Sequence, residues 1–94
     1  LKITVVVCDN QVHGSIISGQ RARYGDDKAY ATVMGGPDFA ALAEGYGAVG
    51  LRVARTEEWP AALAAALAAE RPALIHVTCD VADIVPYGPG KDAV

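Results

Sequence analysis

The chain has 94 residues, 52% of them hydrophobic and 20% charged, with a formal net charge of −3. That length allows at most one small domain. The acidic balance, with no basic cluster beyond Arg21 and Arg23, argues against a nucleic-acid partner. No apolar run approaches the length of a membrane span, and no signal-peptide layout opens the chain.

The apolar excess points to faces covered by a partner or by further polypeptide. Leu1-Lys2-Ile3 enters a strand with no lead-in, so the expectation is a piece of a longer chain. Cys8 and Cys79 are the only cysteines and lie far apart. They read as small, buried, reduced thiols of a cytoplasmic protein, not as a disulfide framework.

In chain order, Ile3-Thr4-Val5-Val6-Val7-Cys8 is a β-branched run of the kind buried on both faces of a parallel sheet. Residues 12–23 read as a helix weakened by Gly14 and Gly19. No period holds from Tyr24 to Gly36, where the glycines mark loop. Pro37 is placed as a first helical residue. Phe39, Leu42, Ala43 and Tyr46 follow at the spacing of one helix face, and Gly47 closes that helix.

Val49, Leu51 and Val53 alternate with Gly50, Arg52 and Ala54, as in a strand with one wetter face. Thr56 reads as an N-cap, Glu57 and Glu58 favour the helix dipole, and Pro60 falls in the first turn. Trp59, Leu63 and Leu67 then share one side of a helix. Residues 73–77 form the last strand, and the Pro- and Gly-containing tail is irregular. This alternation predicts an α/β fold with a parallel sheet and flanking helices, whose ligands gather at the carboxyl ends of the strands. Asp9-Asn10 and Cys79-Asp80 sit at such ends.

Asn10 offers a neutral, hard oxygen suited to Mg²⁺ or Ca²⁺, and a turn carbonyl such as that of Val12 would add a second. A plain turn explains the same residues, because Asn and Asp satisfy turn backbone with their own side chains. Cys8, His13, His76 and Cys79 have ligand chemistry for zinc, but their spacing favours thiols and a core histidine. Ser15 lies in no nucleophile elbow, and Gly35-Gly36 in no phosphate-loop fingerprint.

The ordered set Asp9-Asn10, Pro37-Asp38-Phe39, Leu42-Ala43, Tyr46-Gly47, Thr56-Glu57-Glu58 and Arg71-Pro72-Ala73-Leu74-Ile75 resembles the C-terminal half of the diphosphate-binding domain of thiamine-diphosphate enzymes, in the acetolactate synthase-like group. The resemblance implies thiamine diphosphate and Mg²⁺ as cofactors, a 2-oxo acid as substrate, and decarboxylation followed by ligation of the remainder to an acceptor. It implies Asn10 and the Val12 carbonyl as metal ligands. Asp9, Gln11, His13, Gly14 and Ser15 would then line the cofactor beside them, with Ile16 and Ile17 facing the substrate.

By the same resemblance, residues 1–80 are the C-terminal portion of the cofactor-binding domain, and 81–94, with Tyr87, a tail that folds as a lid. The family's Gly-Asp-Gly motif and activating glutamate would belong to the rest of the enzyme, a homodimer or homotetramer, so this stretch alone holds half a metal site and is inactive. The alternative on the residues themselves is a non-catalytic α/β module for a phosphate or nucleotide.

Overall fold

The β-branched runs become three strands, and the computed structural model describes residues 1–83. Strands β1 (Thr4–Asp9), β2 (Val49–Val53) and β3 (Ala73–Thr78) form one parallel sheet in the order β1-β3-β2. Helices α1 (Gly14–Tyr24), α2 (Phe39–Gly45) and α3 (Trp59–Ala68) intervene. The expected parallel sheet with flanking helices is therefore present. Among the described residues, no helix is long and apolar enough to cross a membrane. The expected tail lies mostly outside the described residues; its first part, Val81–Asp83, is a short 3₁₀ turn.

The described residues divide into two compact units, one of Leu1–Asp9 with Gly36–Cys79, the other of Asn10–Gly35 with residues 80–83. The first unit is the sheet with α2 and α3. On one sheet face, Val53, Ala73 and Ile75 bury themselves against Ala62 and Ala66 of α3, flanked by Leu51, Trp59 and Leu63. On the other, α2 comes so close that a Cβ on Gly50 would lie 2.2 Å from the Ala40 carbonyl oxygen. Both helices lie over β2 and β3.

Several expectations need correction here. β1 is an edge strand, and Val5 and Val6 are 40% and 43% exposed rather than buried on both faces, because neither helix reaches over them. Gly50 lies on a packed face, not a wet one. In α2 the buried side chains are Ala40 and Ala43, while Leu42 and Tyr46 point to solvent. In α3 they are Ala62 and Ala66, and Leu67 is exposed. At α2 the backbone lies close against the sheet at Gly50, so alanines take the positions the larger residues were expected to fill.

The helix ends also differ in detail. Pro37 precedes α2, and its N-cap is Asp38, whose Oδ1 accepts from the amides of Ala40 (3.1 Å) and Ala41 (3.2 Å). Gly47, at φ 87°, ends the helix by the paired bonds Ala48 N–H to Ala43 and Gly47 N–H to Glu44. Thr56 caps nothing. Instead the Glu58 carboxylate accepts from the Ala54 and Arg55 amides at 3.0 and 2.8 Å, drawing residues 56–58 into a 3₁₀ turn ahead of α3.

The second unit holds α1 and a short antiparallel ribbon in which Val12 faces Val33. Ile17 and Thr32 are its buried side chains among the described residues, at 1% and 3% exposure.

Candidate functional site

Asp9 ends β1, and in the register β1 lies beside β3 with Val7 opposite His76 and Asp9 opposite Thr78. Asp9 and His76 therefore share a sheet face, and His76 Nε2 lies 2.8 Å from Asp9 Oδ2. The pair is nearly buried, with side chains 11% and 12% exposed. On its other side, His76 Nδ1 accepts the Phe39 amide at 3.3 Å. An acceptor nitrogen carries no proton, so this bond selects the tautomer with the proton on Nε2, which donates to Asp9. The Phe39 ring meets the imidazole edge-on, with centroids 5.1 Å apart. Asp9 is thus held by a core histidine whose two nitrogens are both engaged.

Beside them, Asp38 Oδ2 accepts from Arg52 Nη2 at 2.7 Å and Nε at 3.1 Å. This guanidinium, and after it the Ala41 amide, hold the Asp38 carboxyl below its ordinary value, and the carboxylate in turn raises Arg52. Cys8 is exposed and Cys79 half-buried, which corrects the expectation that they are buried. Cys8 is exposed for the reason Val5 and Val6 are: it rides on the edge strand. Among the described residues, no three His, Cys, Asp or Glu side chains gather as a metal site.

The second unit begins at Asn10, whose Oδ1 accepts the Val12 amide at 3.2 Å. This is the side-chain turn expected of Asn. Gln11 between them has φ 60°, a left-handed conformation that costs a non-glycine residue about 1 kcal/mol. Two bonds lock the turn against the facing segment: His13 N–H to the Thr32 carbonyl at 2.8 Å, and Met34 N–H to the Gln11 carbonyl at 2.7 Å.

These bonds flank Val12 and Val33 as a non-hydrogen-bonded pair, so the Val12 peptide groups turn away from the ribbon. The Val12 amide goes to Asn10, and no backbone amide among the described residues takes its carbonyl. One turn therefore presents two neutral oxygens, the Asn10 carboxamide and the Val12 carbonyl.

The ribbon runs directly into α1. His13 is the N-cap without a side-chain bond to the helix, and no acidic residue occupies the first turn. The amides of Gly14, Ser15 and Ile16 thus open the helix with neither a capping side chain nor a carboxylate to compete with an anion. Gly14 is half-buried, and His13 and Ser15 are exposed. Ile16 is 55% exposed and Ile17 1%.

Further along α1, the Gln20 carboxamide binds the far arm of the ribbon. Its Nε2 donates to the Tyr30 carbonyl (3.0 Å), while its Oε1 accepts the Tyr30 amide (3.1 Å) and the Thr32 hydroxyl (3.2 Å). Ala31, between those residues, is also left-handed, at φ 57°. Sequence reading passed over Gln20, Ala31 and Thr32. A glutamine in a helix without an apolar period carries no signal of its own, and its partners lie in a stretch that reads as loop.

A sequence model of the family described as thiamine pyrophosphate enzyme, C-terminal TPP binding domain, matches residues 1–77. The chain belongs to that family. Among curated relatives of this TPP-binding domain, the acetolactate synthase isozyme 2 large subunit of Escherichia coli is 32% identical over 92 residues, a match that takes in 94% of this chain and 17% of the relative. The putative thiamine pyrophosphate-containing protein YdaP of Bacillus subtilis is 36% identical over 77 residues, or 82% of this chain and 13% of the relative. The chain thus spans less than a fifth of the length of these relatives. The domain is homologous to acetolactate synthase-like thiamine-diphosphate enzymes, and its parallel sheet with flanking helices accords with half of a Rossmann-like TPP-binding fold.

A concavity of about 240 Å³ lies where Val53, Thr56, Trp59, Val77 and Thr78 meet at the carboxyl ends of β2 and β3. It falls below the usual size of small-molecule sites, roughly 300–1,000 Å³. Arg55 at its rim is engaged with Glu57 at 3.2 Å.

Proposed function

We propose that this chain is part of a longer thiamine-diphosphate- and Mg²⁺-dependent enzyme that decarboxylates a 2-oxo acid and joins the remainder to an acceptor. In this reading, residues 1–80 are the C-terminal portion of its cofactor-binding domain. The observation that carries the metal part is the Asn10–Val12 turn. Mg²⁺ takes neutral and anionic oxygens in octahedral array and shares them with substrate phosphates, so a few protein oxygens suffice. The Asn10 Oδ1 keeps a lone pair beyond its bond to Val12, and the Val12 carbonyl is turned outward. Both fit the ion.

Asn10 and Val12 would hold Mg²⁺, with Asp9, Gln11, His13, Gly14 and Ser15 along the cofactor. Gly14 lets the diphosphate approach the backbone, and the amides that open α1 meet its negative charge. Asp9 is itself held by His76. Of Ile16 and Ile17, Ile16 has the exposure that a substrate-facing group needs. When bound, thiamine diphosphate supplies the nucleophilic and electron-accepting carbon chemistry that cleaves a bond beside a 2-oxo group. The reading includes a homo-oligomer, dimer or tetramer, in the cytoplasm, completed by the remainder of the enzyme chain.

The turn bond between Asn10 and Val12 would serve a plain turn equally well, and one substitution separates the two readings. In the full-length enzyme, Asn10→Ala should weaken Mg²⁺-dependent thiamine diphosphate binding, measured by titration calorimetry, by on the order of 100-fold, the upper end of what altering metal surroundings costs. Unchanged binding would leave Asn10 as a turn residue only.

A further inference from the structure

The second unit contains a hydrogen-bonding device that the metal reading above does not use. Two left-handed non-glycine residues, Gln11 and Ala31, sit on the two arms of the ribbon, at φ 60° and 57°. Such conformations persist where the surroundings over-determine them. For Ala31 the surroundings are Gln20: its carboxamide bonds Tyr30 on one side and Thr32 on the other, bracketing the strained residue. Both Oε1 lone pairs are used, and Nε2 faces a carbonyl, so the amide has one orientation only.

Thr32 is 3% exposed, and its carbonyl takes the His13 amide at 2.8 Å. That bond and the one from Met34 to Gln11 set the pose of the Val12 peptide between them. An unbroken path of short bonds therefore runs from the Gln20 side chain to the carbonyl of Val12.

We infer that Gln20 is a positioning residue for the metal: its carboxamide fixes residues 30–32, and through Thr32 and His13 it aims the Val12 carbonyl. The inference rests on the proposed role of Asn10 and Val12. Gln20 itself touches neither metal nor cofactor. Outer-shell groups of this kind orient ligands, and losing one costs metal affinity more than it costs the fold.

The test uses the full-length enzyme, with Mg²⁺ and thiamine diphosphate as probes and titration calorimetry across a Mg²⁺ series. Gln20→Met keeps the length of the side chain and removes all three bonds. The Mg²⁺ concentration for half-saturation should rise about 10-fold, while thiamine diphosphate affinity returns to the parent value at saturating Mg²⁺. Hydrogen exchange at the His13 and Met34 amides should quicken alongside. Thr32→Val removes a single bond and should move the Mg²⁺ midpoint the same way, by roughly fivefold or less.

A lower melting temperature with an unmoved Mg²⁺ midpoint would make Gln20 purely structural and overturn the proposal. Should Gln20→Met not fold, the Thr32→Val midpoint decides alone. Asn10→Ala is the control. If it abolishes the Mg²⁺ dependence while the Gln20 and Thr32 variants leave the midpoint unmoved, the positioning role alone fails. If Asn10→Ala leaves the dependence intact, the metal reading beneath it has failed.

Discussion

The two units are built on different principles. The sheet unit buries Val53, Ala62, Ala66, Ala73 and Ile75 in one cluster, and α2 sits so close to the sheet that glycine is required at position 50. The other unit buries one large apolar side chain, Ile17, among its described residues. It is shaped instead by side-chain bonds to backbone from Asn10 and Gln20, and it carries the left-handed residues Gln11 and Ala31. Burial is strong and non-directional; hydrogen bonds of this kind are weak in net energy but fix direction. The first suits a scaffold, the second a place where individual oxygens and amides must point.

Substitutions at glycine put this contrast to its hardest test. In the sheet unit, Gly50→Ala forces a Cβ against the Ala40 backbone, and overpacking of that kind should destabilise the chain by about 3 kcal/mol in urea unfolding followed by the fluorescence of Trp59. A loss well under 1 kcal/mol would show that α2 shifts freely on the sheet.

In the other unit, nothing lies within 4 Å of a Cβ added to Gly19, inside α1. Gly19→Ala should raise helix stability by about 1 kcal/mol, read as slowed amide exchange across α1. The same substitution thus has opposite signs in the two units, and equal signs would end the comparison.

The smallest effect is electrostatic. Asp38 has a folded value below its ordinary 3.8, so its pairing with Arg52 contributes stability above that ordinary value and loses it as pH falls through the lower folded one. Asp38→Asn keeps a good helix cap but removes the charge. The variant should be slightly less stable than the parent near neutrality and equal to it in strong acid, in paired urea titrations. Because both partners are exposed, added salt should shrink the difference.

The sheet was legible because β-branched runs announce themselves: β1 lies one residue further along at both ends than expected, β2 stops one residue short of Ala54, and β3 runs one residue further, to Thr78. The helix faces were less so. Periodicity ranks positions by hydrophobicity, and it therefore favoured Leu42, Tyr46 and Leu67 over the alanines that the close packing demands. The Asn10 turn could be read from residue type, since its bond closes over two residues. Gln20 could not, because its partners are 10 and 12 residues away in a stretch without period. His76 was expected to be satisfied, but its partner Asp9 emerges only from the strand order, which brings residues 67 apart side by side.

The bare flank of β1 has a consequence for handling the chain. Thr4-Val5-Val6-Val7-Cys8 is uncharged, rich in β-branched residues and free of proline, and among the described residues no further strand lies beside it at the sheet edge. Such an edge is a template for strand addition. In concentrated solution, separated from any covering polypeptide, these residues would recruit other copies into cross-strand assemblies, and a single lysine on the outer face of β1 would act as the gatekeeper that prevents it.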